Sequence, residues 1–481
     1  MPETTVVLLD LAGQWTHRER HRHHEFPIEV PAGTVELSVR LWWSPLDMGD
    51  EHLANSLALT LWGPEGFRGS AVRRGDANDL TIGPAAASPG ALAGPIQPGR
   101  WVLNLDTGLI LPDGAKVGHL EWTLDARARI ADDRSPTAEP PPPPADRNAG
   151  QEPAPAAASR RGEGAGWLRG DLHSHTLHSD GRFTVDERLG RAVERGLDFL
   201  AITDHNTVSH HRELEPWRDR IVPIRGSEVT TFHGHMNVFG VSSAIDWRRD
   251  RRGTGPVGIV EQAHAQDALI SINHPSSFGD PWCVGCHWDY ARVDYSTFDA
   301  MEIWNGGWAD VETANEGNVA FWTDLLDAGV RLTGISGTDS HGPADDDDAT
   351  LGFTHVYATD RSEAAILDGI RRGRVFVSRG PLVTFRARGA DGTEVAVPGD
   401  TLRGDGEIDL DVAVEGLEVP ATLWFVTSGS SIALADGGPG EIRLTRAAVV
   451  PNAWWRLEVR AGSASNGDVL ALTNPVYASR G

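Results

Sequence analysis

Three short motifs constrain this chain more than anything else in it: Asp171-Leu172-His173-Ser174-His175, Thr203-Asp204-His205-Asn206 and Gly337-Thr338-Asp339-Ser340-His341. Each follows a short apolar run that reads as a strand, so the fold has to bring several strand ends to one place. In extended backbone alternate side chains share a face, so His173 and His175 point together, and so do Asp339 and His341. Neutral imidazoles and carboxylates are the donors that borderline divalent cations such as Zn, Mn or Fe prefer. Further candidates stand in the same setting: Asp180 in Ser179-Asp180-Gly181, Glu228 in Gly226-Ser227-Glu228-Val229-Thr230, His235 in His233-Gly234-His235, and His274 in Ile272-Asn273-His274-Pro275. One such residue alone is more often a satisfied polar group. With His205 they make nine, all at strand termini, and nine point to a metal centre.

The order HxH, SDG, TDHN, GxE, NHP and GTDSH resembles the PHP (polymerase and histidinol phosphatase) superfamily of metal-dependent phosphoesterases. The pairing of Glu228-Val229-Thr230-Thr231 with Gly234-His235-Met236-Asn237, followed by Gly373-Arg374-Val375-Phe376-Val377-Ser378-Arg379-Gly380-Pro381, is similar more narrowly to the CehA/McbA-type branch, which includes carbaryl hydrolases. The resemblance covers residues 167–381 and implies a distorted (β/α)7 barrel. It also implies the ligand sets: His173, His175, Glu228 and Asp339 for one ion; Glu228, bridging, with His235 and His274 for a second; Asp180, His205 and His341 for a third. Two or three ions would outweigh the charge of the three carboxylates and attract an anionic substrate. They would also bring the pKa of water down to about 7, so that no side-chain nucleophile is needed.

Around that set, Asp171 and Asp204 read as carboxylates supporting the ligands, because a metal-bound imidazole usually gives its other N–H to a carboxylate or carbonyl. Arg182, directly after the SDG motif, and Arg379 are candidates to meet a phosphoryl oxygen. Pro275 biases His274 toward extended backbone. Glu302 stays outside the ligand set. The expected function is hydrolysis of a phosphoester. Two alternatives stay open: a carbamate or carboxyl-ester hydrolase of the carbaryl-hydrolase type, and a non-catalytic, metal-stabilised binding protein.

Composition bounds the partners. Lys and Arg number 43 against 68 Asp and Glu, a formal charge of −25, which excludes a nucleic-acid or anionic-membrane surface as the default partner and leaves a small-molecule ester. No stretch reaches membrane-spanning length, and the start at Met1-Pro2-Glu3-Thr4-Thr5 lacks a basic segment followed by an apolar one, so the expected location is cytoplasmic. The two cysteines, Cys283 and Cys286, are expected to be a loop pair of thiols rather than a disulfide framework. Oligomeric state is left open.

At 481 residues the chain exceeds one ordinary core. Residues 1–131 alternate in short runs such as Leu57-Ala58-Leu59-Thr60-Leu61-Trp62 and predict a β-sandwich. The basic stretch from His17 to His24 reads as a solvated loop. Residues 132–166, with Pro140 to Pro144 in one run, predict a linker. In 167–380 strands and helices alternate: Thr184-Val185-Asp186-Glu187 is a capping box, and helices are expected over 185–196, 257–268 and 318–328. Residues 381–481 predict a second β-rich unit. Trp282, Trp288, Trp304 and Trp308 fall near the presumed active face, with core packing the main expectation. Asp345 to Asp348 reads as a solvated turn.

Overall fold

The computed structural model describes residues 4–46, 53–72, 75–111, 119–131, 164–248, 253–403 and 406–479. The linker expected over 132–166 lies almost wholly outside the described residues.

The amino-terminal unit is two four-stranded antiparallel sheets. One runs in the order Thr4–Thr16, His119–Ile130, Thr34–Ser44, Ala77–Ile82, and the other Arg22–Val30, Gly99–Leu109, Ser56–Gly63, Gly66–Ala71. Period-two alternation turns Leu37, Val39 and Leu41 of the first sheet onto Leu57, Leu59, Leu61, Leu103 and Leu105 of the second, one buried cluster between two layers. The His17–His24 stretch is not a solvated loop. Thr16 and Glu19 form a capping box over a short helical turn, and Arg22–Val30 pairs along its length with Gly99–Leu109. His23 Nδ1 stands 2.6 Å from Asp106 Oδ1 and His21 Nε2 2.8 Å from Asp280 Oδ2, and both rings stack on Phe232. Asp106 lies on the paired strand of the same sandwich, whereas Asp280 and Phe232 come from the central unit far along the chain, so no local pattern announces these partners.

The central unit is a mixed, strand-rich sheet with few helices. Its path is Thr333–Gly337, Ala300–Asn305, Leu269–Ile272, His235–Phe239, Val222–Thr230, Phe199–Ile202, Gly166–Asp171, Phe353–Ala358, Val375–Ser378. Pairing is parallel on both sides of Phe199–Ile202 and of Ala300–Asn305, and antiparallel on both sides of His235–Phe239 and of Phe353–Ala358. A (β/α)7 barrel is therefore not what the hydrogen bonds draw. The first strand comes round to Phe353–Ala358 through the Thr354 hydroxyl, which donates to Ser336 O and accepts from Ser336 N, both at 2.8 Å. Val185–Glu194 follows the Thr184/Glu187 capping box as expected, and Val257–His264 and Asn315–Asp327 fall near the expected spans without a side-chain cap; a further helix, Glu363–Arg371, capped by Ser362, was not expected. No helix among the described residues is long and apolar enough to cross a membrane.

The carboxy-terminal unit is a sandwich that shares a sheet with the central one. Val375–Ser378 pairs antiparallel with Val469–Thr473, and the ladder continues through Trp454–Ala461 to Ala421–Thr427. Against it packs the layer of Leu382–Arg388, Ile408–Leu417 and Gly440–Val449, burying Phe385, Leu410 and Val412 on Phe425, Trp455 and Val459. At the joint to the helix Asn315–Asp327, Trp454, Val469 and Leu472 share an apolar cluster with Trp322 and Leu325, and two polar links flank it: Trp454 Nε1 donates to Asp327 and Arg460 pairs with Glu316. Trp288, Trp304 and Trp308 are core residues, as expected, whereas Trp282 is 54% exposed.

Candidate metal centre

Two isolated parallel bridges, Ser174 to Ser340 and His205 to Glu228, assemble the centre beyond the regular strands. His175 N donates to Ser340 O at 3.0 Å and Asp339 N to His173 O at 2.9 Å. The pairs His173/His175 and Asp339/His341 thus flank one bridge and are laid side by side. In the second bridge Glu228 N donates to Thr203 O and Asn206 N to Glu228 O. His235 comes from the start of its strand rather than the end, because that strand runs antiparallel to Val222–Thr230 and so begins at the same rim.

All nine sequence-predicted ligands meet there. Glu228 is the hub: Oε2 lies 3.2 Å from His173 Nε2, 3.4 Å from His175 Nε2 and 3.0 Å from His205 Nδ1, while Oε1 lies 3.2 Å from His235 Nδ1 and 3.5 Å from His274 Nε2. Asp339 Oδ1 stands 3.0 Å from His175 Nε2 and 3.3 Å from His173 Nε2. Asp180 Oδ1 is 3.2 Å from His341 Nε2 and 3.5 Å from His205 Nε2. Three groups have donor atoms close enough to share an ion: His175, Asp180, His205 and His341; His173, His175 and Asp339; and His235, His274 and Cys286.

The donor chemistry fits divalent metal. His173 Nε2 is fully buried and makes no hydrogen bond, although two carboxylate oxygens stand beside it. Such an atom in a native interior calls for a partner of another kind. Burial, then the neighbouring His341 and His205, push the His175 imidazole down to about 4, and burial also lowers His235. Both rings are thus held neutral, the form that binds metal, whereas at His173, His205 and His274 burial is outweighed by the surrounding carboxylates, which raise these rings. Burial opposes charge on Glu228, yet His173, His205 and His235 around it hold its carboxyl well below the usual range. Gly337 is required by the packing, because a Cβ there would sit 2.2 Å from His173 Cβ.

Three ligand-bearing turns use left-handed backbone on non-glycine residues: Asn206 at φ 52°, Asp339 at 51° and His274 at 27°. Such conformations persist only where surroundings over-determine them. For His274 this reverses the extended bias that Pro275 imposes. Its N–H is held at 3.2 Å from Glu302 Oε2, and its ring Nδ1 at 3.3 Å from Cys286 O.

Asp171 and Asp204 support the centre by a different route from the one expected. Asp171 accepts from His173 N and Thr338 N on Oδ1, and from Thr338 Oγ1 and Arg188 on Oδ2. Asp204 accepts from Thr176 N, Thr176 Oγ1 and Ser179 Oγ, with His210 at 3.1 Å. Both hold the backbone of ligand loops rather than ligand rings. The carboxylate on a ligand ring is Glu302, 3.2 Å from His173 Nδ1, steadied by Asn305. It was legible as a lone acid in the apolar strand Ala300–Asn305. Asn273, which donates to Glu228 Oε1 at 2.9 Å, carried no comparable signal. Arg182 is exposed beside the site, its N–H on His341 O. Arg379 is not brought to the site, and its guanidinium lies 3.8 Å from Asp468. The Asp345 to Asp348 run is not merely solvated: Asp345 caps His341 N and Gly342 N, and Asp346 is buried between Arg188 and Arg191. Cys283 and Cys286 are joined by a disulfide, contrary to the expectation of free thiols.

No family model matches the chain. Among curated proteins, the DNA polymerase/3'-5' exonuclease PolX of Bacillus subtilis is 38% identical over 64 residues, 13% of this chain and 11% of its own length. The 5'-3' exoribonuclease Rnm of Escherichia coli is 37% identical over 83 residues, 16% and 27% of the two chains. The chain thus spans about a tenth and about a quarter of the length of these two. An uncharacterized protein of Methanocaldococcus jannaschii is 27% identical over 151 residues, 29% of this chain and 82% of its own. Among solved structures, a two-domain protein of Bacteroides vulgatus, described as containing a predicted PHP-like metal-dependent phosphoesterase, superposes over 66% of this chain and 100% of its own, with 19% identity and a TM-score of 0.39.

Proposed function

We propose that this chain is a metal-dependent hydrolase of the PHP type that cleaves a phosphoester with water at a centre of two or three divalent ions. The observation that carries the proposal is the gathering of nine candidate ligand side chains, five histidines of them directly around Glu228, with His173 Nε2 buried among them and not hydrogen-bonded. When bound, Zn, Mn or Fe ions would supply Lewis acidity and water with a pKa of about 7.

Access is one-sided. His235, His274 and Glu228 are almost fully buried, whereas the side chains of Asp339, His341 and Asp180 are 24%, 19% and 11% exposed, so substrate enters on that flank. An open flank favours catalysis over the alternative of a metal-stabilised binding protein, since structural sites are closed by protein ligands. Arg182, at the same mouth and without an ion-pair partner among the described residues, is placed to meet an anionic oxygen. Asp171 and Asp204 keep the ligand loops in register. PolX and Rnm are both named as nucleases, which supports phosphoester cleavage; the −25 charge here favours a small substrate over a polymer.

One observation favours a second class, an apolar carbamate or carboxyl ester. Phe278 and Trp282 on one loop and Val311 on another are 46%, 54% and 74% exposed, and the Phe278 N–H donates to Glu312 O, bringing the two loops together. The test is elemental analysis of the full chain reconstituted with each metal, then a screen of aryl phosphomonoesters, phosphodiesters, carbamates and carboxyl esters. More than one equivalent of metal and turnover of a phosphoester are expected. Glu228→Ala should lose metal and slow turnover by about 10³-fold, as the loss of several kcal/mol of stabilisation requires. At most one equivalent, or a Glu228→Ala variant at near wild-type rate, would refute the proposal.

A further inference from the structure

The loop that carries Cys283 and Cys286 closes over the buried flank of the centre. Val284 O accepts from His235 Nε2 at 2.8 Å, and Cys286 O faces His274 Nδ1 at 3.3 Å. Those two contacts turn His235 Nδ1 and His274 Nε2 toward Glu228 Oε1. The Cys286 sulfur lies 4.0 Å from His235 Nδ1, and the donor atoms of His235, His274 and Cys286 all lie within 4.8 Å of one another. The loop is held in place: Gly285 has φ +72° and passes so near Thr231 O that a Cβ would stand 2.0 Å from it, while Trp288 N donates to Pro275 O. In a tetrahedral site with bonds of about 2.1 Å to nitrogen and 2.3 Å to sulfur, adjacent donors lie roughly 3.5 Å apart. A small side-chain rotation of a freed Cys286 spans the difference.

We propose that Cys286 is a redox-controlled fourth ligand at this flank. As a thiolate it completes, with His235, His274 and Glu228, a closed metal position; as half of the Cys283–Cys286 disulfide it leaves that position with three protein ligands. The proposal rests on the metal centre argued above. The switching chemistry balances with a dithiol reductant. Its two S–H groups are oxidised to its own disulfide, the Cys283–Cys286 bond breaks, and the two cysteines take up two electrons and two protons. Uptake of an ion then releases the Cys286 proton to solvent. Closed positions are the mark of structural ions and open ones of catalytic ions. Reduction should therefore tighten metal at this flank.

Cobalt(II) added to the full metal-free chain tests this. Visible d–d bands report cobalt held by imidazole and carboxylate, and a near-ultraviolet sulfur-to-cobalt charge-transfer band reports thiolate ligation. The reduced chain is expected to show both, and the oxidised chain the d–d bands alone. Cys286→Ser should lack the charge-transfer band in either state, and Cys283→Ser, which cannot form the disulfide, should keep it in both. If reduced wild type and Cys283→Ser both show d–d bands without charge transfer, the inference falls while the metal centre stands. If no form shows d–d bands, the metal centre itself falls, and the inference with it.

Discussion

Arg188 is the residue whose loss should most damage the scaffold of the centre without touching a ligand. It sits on the helix Val185–Glu194, is 3% exposed, and sends Nη1 to Asp346 Oδ1 at 2.7 Å and Nη2 to Asp171 Oδ2 at 3.1 Å, with the hydroxyls of Ser340 and Thr338 at 3.3 Å. Asp171 in turn holds His173 N and Thr338 N, so one guanidinium ties together both sides of the Ser174–Ser340 bridge. Arg188→Met keeps the length and apolar stem but strands two buried carboxylates. Breaking a buried pair by removing one partner costs about 3–5 kcal/mol. Asp346 keeps Arg191 and Ser340, both at 2.7 Å, so the cost should fall near the lower figure, about 3 kcal/mol. For a unit of about 200 residues, each kcal/mol moves the melting transition by about 2–4 °C. Calorimetry of the metal-free chain should then show the metal-responsive transition lowered by about 6–12 °C. In the double variant with Asp346→Asn the losses should be less than additive, because one of the stranded charges is gone. A shift below about 2 °C, or strict additivity, would refute the assignment of Arg188 as the common anchor.

Two further outcomes follow from other buried carboxylates. Glu302→Gln removes the charge from His173 Nδ1 while keeping its size, and chelator competition should show metal affinity weakened by about 10–100-fold with the fold intact; unchanged affinity would mean that Glu302 does not orient the ring. Glu458 is buried between Arg456 and Arg460; burial alone would raise its carboxyl, but the two guanidinium charges hold it below the ordinary value. Its folded pKa is thus the lower one, so its stabilisation is present above the unfolded value and is lost as pH falls through the folded one. Glu458→Gln should therefore destabilise the carboxy-terminal unit at pH 7, and the deficit should shrink below about pH 4, which thermal melts across pH would show.

The gathering of the nine candidate ligands was legible because extended backbone and strand ends leave a short-range signature, and Gly337-Thr338-Asp339-Ser340-His341 carries its geometry within five residues. Helix starts were legible for the same reason, as the Thr184/Glu187 capping box shows. What sequence could not give depends on distant partners. Asp171 and Asp204 stand out in the sequence as acids inside the motifs, but that they bind loop backbone becomes visible only once Thr338 and Thr176 are in place. Periodicity shows that strands alternate with helices but not strand direction, so the antiparallel course of His235–Phe239 and the open hydrogen-bonded path stayed hidden. The disulfide and its position against His235 depend on the turn at Gly285, which no pattern in the CxxC motif fixes.

The pairing of Val375–Ser378 with Val469–Thr473 sets an order of events during synthesis. Every ligand has been made by residue 341, yet one edge of the sheet that organises them stays uncovered until the chain has been extended past residue 473. A nascent chain in that interval presents unpaired backbone along a buried, β-branched strand, the kind of edge that recruits foreign strands. The intervening stretch from Leu382 to the Val469 strand is thus a long excursion whose return protects the rim of the sheet that carries the candidate ligands. Slowing translation across those residues should raise aggregation of the whole protein without altering the finished fold.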